Sequence, residues 1–229
     1  MRVIPGFPIP TIPSPLPPKH RPEKKRVGLT IATVNDDFAT PKTNAKQVHA
    51  GVVLMQEAKN VDLRRTLGDR FGVHQAKRED KAGAATFWRK QDRLKVMKRG
   101  YALGVEPHGA KMLARWINYT DMNVNGAKVR MISVHRPPLR FRRLWPEFDR
   151  NLAAFIKSSK LPVVVGMDAN QRNPQQLARL TGLRWHAPKG SIDGFLASRS
   201  VHFERMKELP KGSSDHHPVL ARITLKKSR

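Results

Sequence analysis

The chain has 229 residues with 44 Lys and Arg against 18 Asp and Glu, a formal charge of +26 with neutral histidines. A charge of that size makes polyanions the default partners, nucleic acid first, ahead of an anionic membrane surface or an acidic protein. A hydrophobic content of 39% supports one large folded domain and excludes wholesale disorder; the absence of cysteine excludes disulfides, thiolate nucleophiles and Cys-ligated zinc, so any metal is held by oxygen or imidazole.

Residues 1–25 read as an extended, basic arm, because Pro5, Pro8, Pro10, Pro13, Pro15, Pro17, Pro18 and Pro22 fix φ and remove donors at short intervals before Lys24 and Lys25. The same prolines exclude the apolar helix of a secretory signal, and no run approaches the ~20 apolar residues of a membrane span, so no membrane partner and a cytoplasmic location are expected. Residues 26–229 read as one domain of alternating strands and helices. Val27 to Val34 alternates as a strand and Val52 to Gln56 is an apolar run of strand length, with a short helix expected from Thr43 to Ala50 between them. Asp62 to Phe71 has helical spacing. Strands are expected at Ala84 to Arg89, Leu94 to Leu103, Leu113 to Met122 and Lys128 to His135, the last two joined by a hairpin turn at Asn125-Gly126. Leu144 to Ser158 is the clearest helix, with Phe148, Leu152, Phe155 and Ile156 on one stripe and Pro146 tolerated in the first turn. Val163 to Met167 is a buried strand, Pro174 to Leu180 a short helix, and Ser191 to Ala197, Val201 to Met206 and Pro218 to Leu225 complete the strands. Many strands, few helices and central hairpins imply two packed sheets flanked by helices.

The informative polar residues terminate or interrupt apolar strands. Asn35 follows one strand, Glu57 the next, His135 another, and Asp168 and Asn170 follow Val163 to Met167; Asp193 sits within Ser191 to Ala197, and Asp215-His216 precedes the last strand. Taken singly, each has a structural explanation as a turn former or solvated strand end. Collectively, in a carboxylate-poor chain, they imply a shared rim rich in oxygen donors, suited to Mg²⁺ or Mn²⁺, with histidines available for proton transfer or phosphate binding.

In order, Thr30 to Asn35, Leu54 to Glu57, Ser133-Val134-His135, Val165 to Asn170, Ser191 to Leu196 and Ser214 to Val219 resemble the successive motifs of the endonuclease/exonuclease/phosphatase superfamily, over about residues 27–225. The resemblance implies an α/β fold, a four-layered α/β sandwich with two packed mixed β-sheets flanked by helices. By position it implies that Glu57 and Asn35 hold the divalent cation, with Asp215 a further metal or orienting carboxylate. Asp168 would orient or deprotonate the attacking water, and Asn170 would hold the scissile phosphate or metal. His216 would face a phosphate oxygen, with Asp193 fixing its tautomer, and His135 matches the histidine of the deoxyribonuclease-like and sphingomyelinase-like members. Val34, Met167 and Gly194 depart from residues common in the family, and none of these departures removes a charged group.

Substrate choice rests on the remaining surface. Arg136, Arg140, Arg142 and Arg143 follow His135 closely enough to meet phosphates flanking a scissile one, a non-sequence-specific grip. Trp145 stands beside them as a candidate stacking surface. The expected activity is a Mg²⁺-dependent nuclease on nucleic acid, DNA rather than RNA, with no obligate protein partner. The alternatives are a non-catalytic nucleic-acid-binding protein on this fold, or a phosphatase or phospholipid diesterase.

Overall fold

The computed structural model describes residues 25–36, 48–58, 61–76, 83–91 and 93–227. The expected helix from Thr43 to Ala50 lies outside the described residues except for Val48 to Ala50, which is irregular, and the N-terminal arm also lies outside them apart from Lys25.

Among the described residues two six-stranded mixed sheets form. In sheet A, β1 (Arg26–Asn35) runs parallel to β2 (Val52–Gln56) and antiparallel to β12 (Val219–Lys226). Antiparallel β11 (His202–Glu208) lies outside β12; β4 (Ala84–Arg89) and β3 (Phe71–His74) extend the sheet past β2. Sheet B has β7 (Ala127–His135) parallel to β8 (Val163–Asp168), flanked by β6 (Arg115–Val124) and β5 (Leu94–Val105) on one side and by β10 (Asp193–Ala197) and β9 (Arg184–His186) on the other. Helix α1 (Leu63–Leu67) covers sheet A through Leu63; α2 (Trp145–Lys157) and α3 (Gln175–Thr181) cover sheet B through Phe148, Leu152, Ile156 and Leu177. The order helix, sheet, sheet, helix is the expected four-layered sandwich.

The period of two along each strand decides which residues enter the space between the sheets. Ile31, Leu54, Met131, Val164 and Phe195 belong to the apolar cluster between the sheets, whereas their neighbours Ala32, Val53, Ile132, Val165 and Leu196 pack outward under the helices. Two residues further along, the inward rows reach Thr33, Gln56, Ser133 and Gly166. Gln56 Nε2 donates across the gap to Ser133 Oγ at 3.0 Å and to the Gly166 carbonyl at 3.2 Å, while Ser133 Oγ donates back to the Met55 carbonyl at 2.5 Å. Gly166 is required for this approach: a Cβ there would stand 2.7 Å from Leu54 Cδ1 and 2.8 Å from Leu54 Cβ. The next inward positions are Asn35, His135 and Asp168.

The expected turn forms at Asn125 and Gly126, both at positive φ (49° and 88°), with Asn123 Oδ1 accepting from Gly126 N at 2.8 Å. Three elements differ from expectation. The helix begun at Asp62, whose carboxylate caps Arg64 N and Arg65 N, stops at Leu67 because Gly68 turns the chain at φ 71°, and Phe71 to His74 then pairs with β4. The arginine-rich segment Leu139–Leu144 winds into a 3₁₀ helix. The short β9 joins β10 with no alternating pattern to announce it. Among the described residues no helix is long and apolar enough to cross a membrane.

Candidate functional site

The carboxyl ends of β1, β2, β7 and β8 meet where the sheets face each other. Register fixes the neighbours: His135 pairs with Asp168, and Asp168 pairs with Asp193. From the other sheet, Asn35 Nδ2 reaches Asp168 Oδ2 at 3.0 Å and Glu57 Oε1 at 3.3 Å, and lies 3.4 Å from His216 Nε2. Strand alternation alone would turn Glu57 to the outer face of sheet A. Its left-handed backbone, φ 58°, follows the end of β2 at Gln56, and the carboxylate meets Asn35. A non-glycine residue held in that region stores conformational strain, as functional sites often do.

Asp168 is the hub. Its Oδ2 accepts from Asn35 and from His135 Nε2 at 3.2 Å, with His216 Nε2 at 3.9 Å; its Oδ1 accepts from the backbone N–H of Asn170 at 2.8 Å. Burial opposes ionisation here, but the His135 hydrogen bond, the His135 and His216 charges and the Asn170 N–H together hold the carboxyl below its ordinary range. His216 Nδ1 lies 2.6 Å from Asp193 Oδ2. Burial disfavours the imidazolium, yet the bond to Asp193 and the charges of Asp193, Asp168 and Asp215 outweigh it and push His216 up to about 9. Burial raises Asp193, and its Oδ1 is buried with no hydrogen-bond partner. Ser214 Oγ donates to the Asn35 carbonyl at 2.8 Å and accepts from His216 N at 3.1 Å, tying the segment before β12 to the end of β1.

Asn35, Glu57, His135, Asp168, Asp193 and His216 therefore form one cluster. Asn170 adjoins it at φ 50°, with Nδ2 donating to the Arg136 carbonyl at 2.8 Å. Asp215 stands on the rim, its side chain 71% exposed and its Oδ1 3.6 Å from His216 Nε2. Arg115 is a member that strand-end reasoning misses. Its Nη1 lies 3.3 Å from His135 Nδ1, which also stands 3.5 Å from Glu57 Oε1, while the other ring nitrogen, Nε2, faces Asp168. Burial lowers the Arg115 pKa against the opposing pull of Glu57 and Asp168. Its one sequence signal is a lone cation opening an otherwise uncharged strand start, Arg115 to Thr120. His217 turns away to the Leu209 carbonyl at 2.9 Å.

The arginines after His135 divide. Arg136 is not a surface contact: it is 2% exposed, its Nε donates to Asp149 Oδ1 at 3.0 Å and its Nη2 to Asp149 Oδ2 at 2.5 Å, and its Nη1 donates to Gln171. With those donors committed inside the protein, it anchors α2 to the loop after β8. One face of Trp145 is taken as well, because the Arg136 guanidinium lies 3.9 Å over its ring and its Nε1 donates to the Pro137 carbonyl at 2.7 Å, while the half-buried ring lines a concavity of about 390 Å³ with Arg142 and Arg143. Arg140, Arg142 and Arg143 face solvent, Arg143 against His108.

The donor chemistry fits a hard divalent cation. Carboxylates of Glu57, Asp168, Asp193 and Asp215 outnumber the cationic groups among them, and the buried Asp193 Oδ1 lacks a partner. Ligand atoms of Asp168, Asp193 and His216 all lie within 4.8 Å of one another.

No family model and no curated protein sequence matches the chain. Solved structures do match in shape. An endonuclease/exonuclease/phosphatase from Bacteroides vulgatus is similar at 18% identity, over 87% of this chain and 100% of that one, with a TM-score of 0.68. A mannosyl-6-phosphatase from Bacteroides thetaiotaomicron is similar at 14% identity over 85% and 99%, with a TM-score of 0.63. The catalytic domain of human Nocturnin, with a bound sulfate, is similar at 12% identity over 91% and 100%, with a TM-score of 0.62. The two packed mixed sheets, their helical covers and these likenesses give the chain the fold of the endonuclease/exonuclease/phosphatase superfamily.

Proposed function

We propose that the protein is a Mg²⁺- or Mn²⁺-dependent phosphodiesterase that hydrolyses nucleic acid, DNA in preference to RNA, with little sequence preference. The observation that carries this reading is the convergence of Asn35, Glu57, His135, Asp168, Asp193 and His216 from both sheets into one anionic cluster. A surrounding chain of charge +26 favours a polyanionic substrate over an isolated headgroup or sugar phosphate.

Glu57 and Asn35 would hold the cation, with Asp215 contributing from the rim. The Asp168, Asp193 and His216 group is the weaker cradle, because the 2.6 Å hydrogen bond between Asp193 and His216 already occupies two of its ligand atoms. When bound, the cation supplies charge neutralisation at the phosphoryl and leaving oxygens. Asp168, kept ionised by its donors, orients the attacking water and accepts its proton as the new phosphorus–oxygen bond forms. His135 Nε2 and Asn35 hold the Asp168 carboxylate in place. His216, kept protonated by Asp193, donates to a phosphoryl oxygen as charge builds there. Asn170, locked by its own backbone bond to Asp168, presents a side-chain amide beside the phosphate. The ester bond to the leaving oxygen then breaks and that oxygen takes a proton from solvent, releasing a phosphate-ended strand and a hydroxyl-ended one.

Plasmid cleavage with Mg²⁺ and with EDTA tests the reading. Cleavage is expected with the metal alone, and Glu57→Gln is expected to abolish it while circular dichroism and the melting curve stay native. Undiminished cleavage in EDTA would overturn the metal role, and faster phosphate release from a sugar phosphate than cleavage of DNA would overturn the substrate class.

A further inference from the structure

A second concavity lies away from the catalytic cluster, on the β9 edge of sheet B. It encloses about 710 Å³ between α3 and β9 and is lined by Arg179, Arg184 and Arg199 together with Trp185 and His186. Among the described residues no carboxylate lines it, so the three exposed guanidiniums share it without a counter-charge from them. A solvated basic surface does not need aromatic walls. Here Trp185 is half-buried against the apolar cluster under α3, and the His186 ring stacks on Phe203 at 4.1 Å and 13°. Strand alternation turns the His186 ring to the face of β9 opposite Trp185, so the indole is the flat uncharged surface that the groove offers among its fixed cations.

The register of β9 leads this groove to the catalytic centre. His186 pairs with Phe195, two residues from Asp193 along β10, and Arg184 pairs with Ala197, four residues away, so the groove runs roughly 7 to 13 Å back from the level of Asp193. The loop that follows β9 carries Lys189, which with Arg172 and Lys211 lines the concavity containing Asp193, Asp215 and His216. The two concavities thus lie along one edge of the sheet, the second lined by Glu208 and Asp215 as well as by those cations, on the opposite side of β8 from Arg140, Arg142 and Arg143. Guanidinium forks match phosphate oxygens, and an indole face takes an unpaired base, a combination suited to a single strand rather than a duplex whose bases are already stacked.

We propose that this groove holds a single-stranded segment of nucleic acid beyond the scissile phosphate, with its phosphates on Arg179, Arg184 and Arg199 and a base against Trp185. The proposal rests on the nucleic-acid reading of the catalytic site for its substrate class, and its test does not depend on catalysis.

The experiment measures binding of a labelled, unstructured single-stranded oligonucleotide to the full chain in EDTA, as a function of salt. Arg184→Ala with Arg199→Ala changes two exposed side chains and is expected to weaken binding at least about tenfold at low salt, the effect of losing one or more charge-assisted contacts. The slope of log affinity against log salt is expected to flatten by about 1.4, since each lost single-strand phosphate contact removes about 0.7. Arg184→Lys with Arg199→Lys should restore the slope, and a duplex of the same length should lose less affinity than the single strand. Quenching of tryptophan fluorescence by the oligonucleotide is expected in the wild type and reduced in Trp185→Phe. Unchanged affinity and slope in the alanine variant would overturn the proposal, as would an equal loss for duplex and single strand. Turnover of bis(p-nitrophenyl) phosphate with Mg²⁺ should be the same in wild type and alanine variant; if the wild type lacks that turnover, the catalytic reading fails while the binding measurement still decides the groove.

Discussion

Asp168 is buried at 1% exposure, and it stays ionised because donors from both sheets meet its two oxygens. A carboxylate so held is rigid and basic toward a water in front of it, but replacing it with an isosteric amide removes the negative charge while nearly preserving shape. Asp168→Asn is therefore expected to slow single-turnover cleavage by a factor on the order of 10² to 10⁴, the usual contribution of a positioned base, while DNA binding persists. His216→Ala is expected to do the same through loss of a phosphate-facing donor, since the base of the cluster, Asn35 and Ser214, is joined by its own hydrogen bond at 2.8 Å. Near-normal single-turnover rates in either variant would show that the assigned group takes no part in the chemistry.

At the scale of elements, the site depends on how closely β8 approaches β1 and β2. Gly166 permits that approach, and its Cβ-less face lies against Leu54 and Thr33. Gly166→Ala is expected to destabilise the fold by about 1 to 3 kcal/mol through overpacking and to lower cleavage, because the spacing between Asn35 and Asp168 changes with the sheets. Denaturant titration with single-turnover assays checks both effects; a variant as stable and active as wild type would show that Gly166 is not needed for the approach. A second polar layer crosses the sheets between β3, β4 and β6. There Thr86 donates to Asn118 at 2.6 Å, Asn118 Nδ2 lies 3.2 Å from His74 Nδ1, Thr120 Oγ1 lies 3.4 Å from it, and the Tyr101 ring is 4.7 Å away. Burial first, then the Arg99 and Arg64 charges, lower His74 from 6.5 to about 4 against the opposing backbone bond with Tyr119. The unfolded chain binds this proton near pH 6.5 and the folded protein only near pH 4, so stability falls as pH drops through that window and is unaffected by His74 above it. The loss reaches roughly 3 kcal/mol. Melting curves from pH 7 to about 4 should flatten in His74→Gln relative to wild type; parallel curves would refute the assignment.

For the whole molecule, the charge of +26 sets long-range attraction, and the fold decides which cations meet the substrate. Arg140, Arg142 and Arg143 remain in solvent on the 3₁₀ helix beside the end of β7, whereas Arg136 is sealed against Asp149 and Trp145. Replacing the three exposed arginines with alanine is expected to leave single-turnover cleavage at saturating DNA little changed and to flatten the salt dependence of duplex binding. Three lost phosphate contacts correspond to a change of roughly 2 to 3 in the slope of log affinity against log salt. An unchanged slope would make this segment a solvated surface.

Most of the strand set and the clearest helix are local properties, legible from alternation, apolar runs, turn chemistry at Asn125-Gly126 and the stripe from Phe148 to Ile156. The residues of the cluster were legible for a related reason. Each of Asn35, His135 and Asp168 ends an inward-facing apolar row, and a polar residue in such a place stands out against the pattern. The sequence by itself therefore determined the sandwich, the strand ends that matter and a net charge that favours polyanions. Tertiary structure decided what depends on partners distant in the chain. It sealed Arg136 into the protein and set it over one face of Trp145, because a carboxylate on α2 lies within reach of the loop after β7. It brought Arg115 to His135 through the pairing of β6 with β7, and paired Phe71 to His74 with β4 once Gly68 had turned the chain out of α1. It also gathered Arg179, Arg184 and Arg199 into one groove, since their side chains come from a helix, an edge strand and a turn that only sheet B holds side by side. Burial and charge pairing are sums over neighbours far apart in sequence, which no local pattern records.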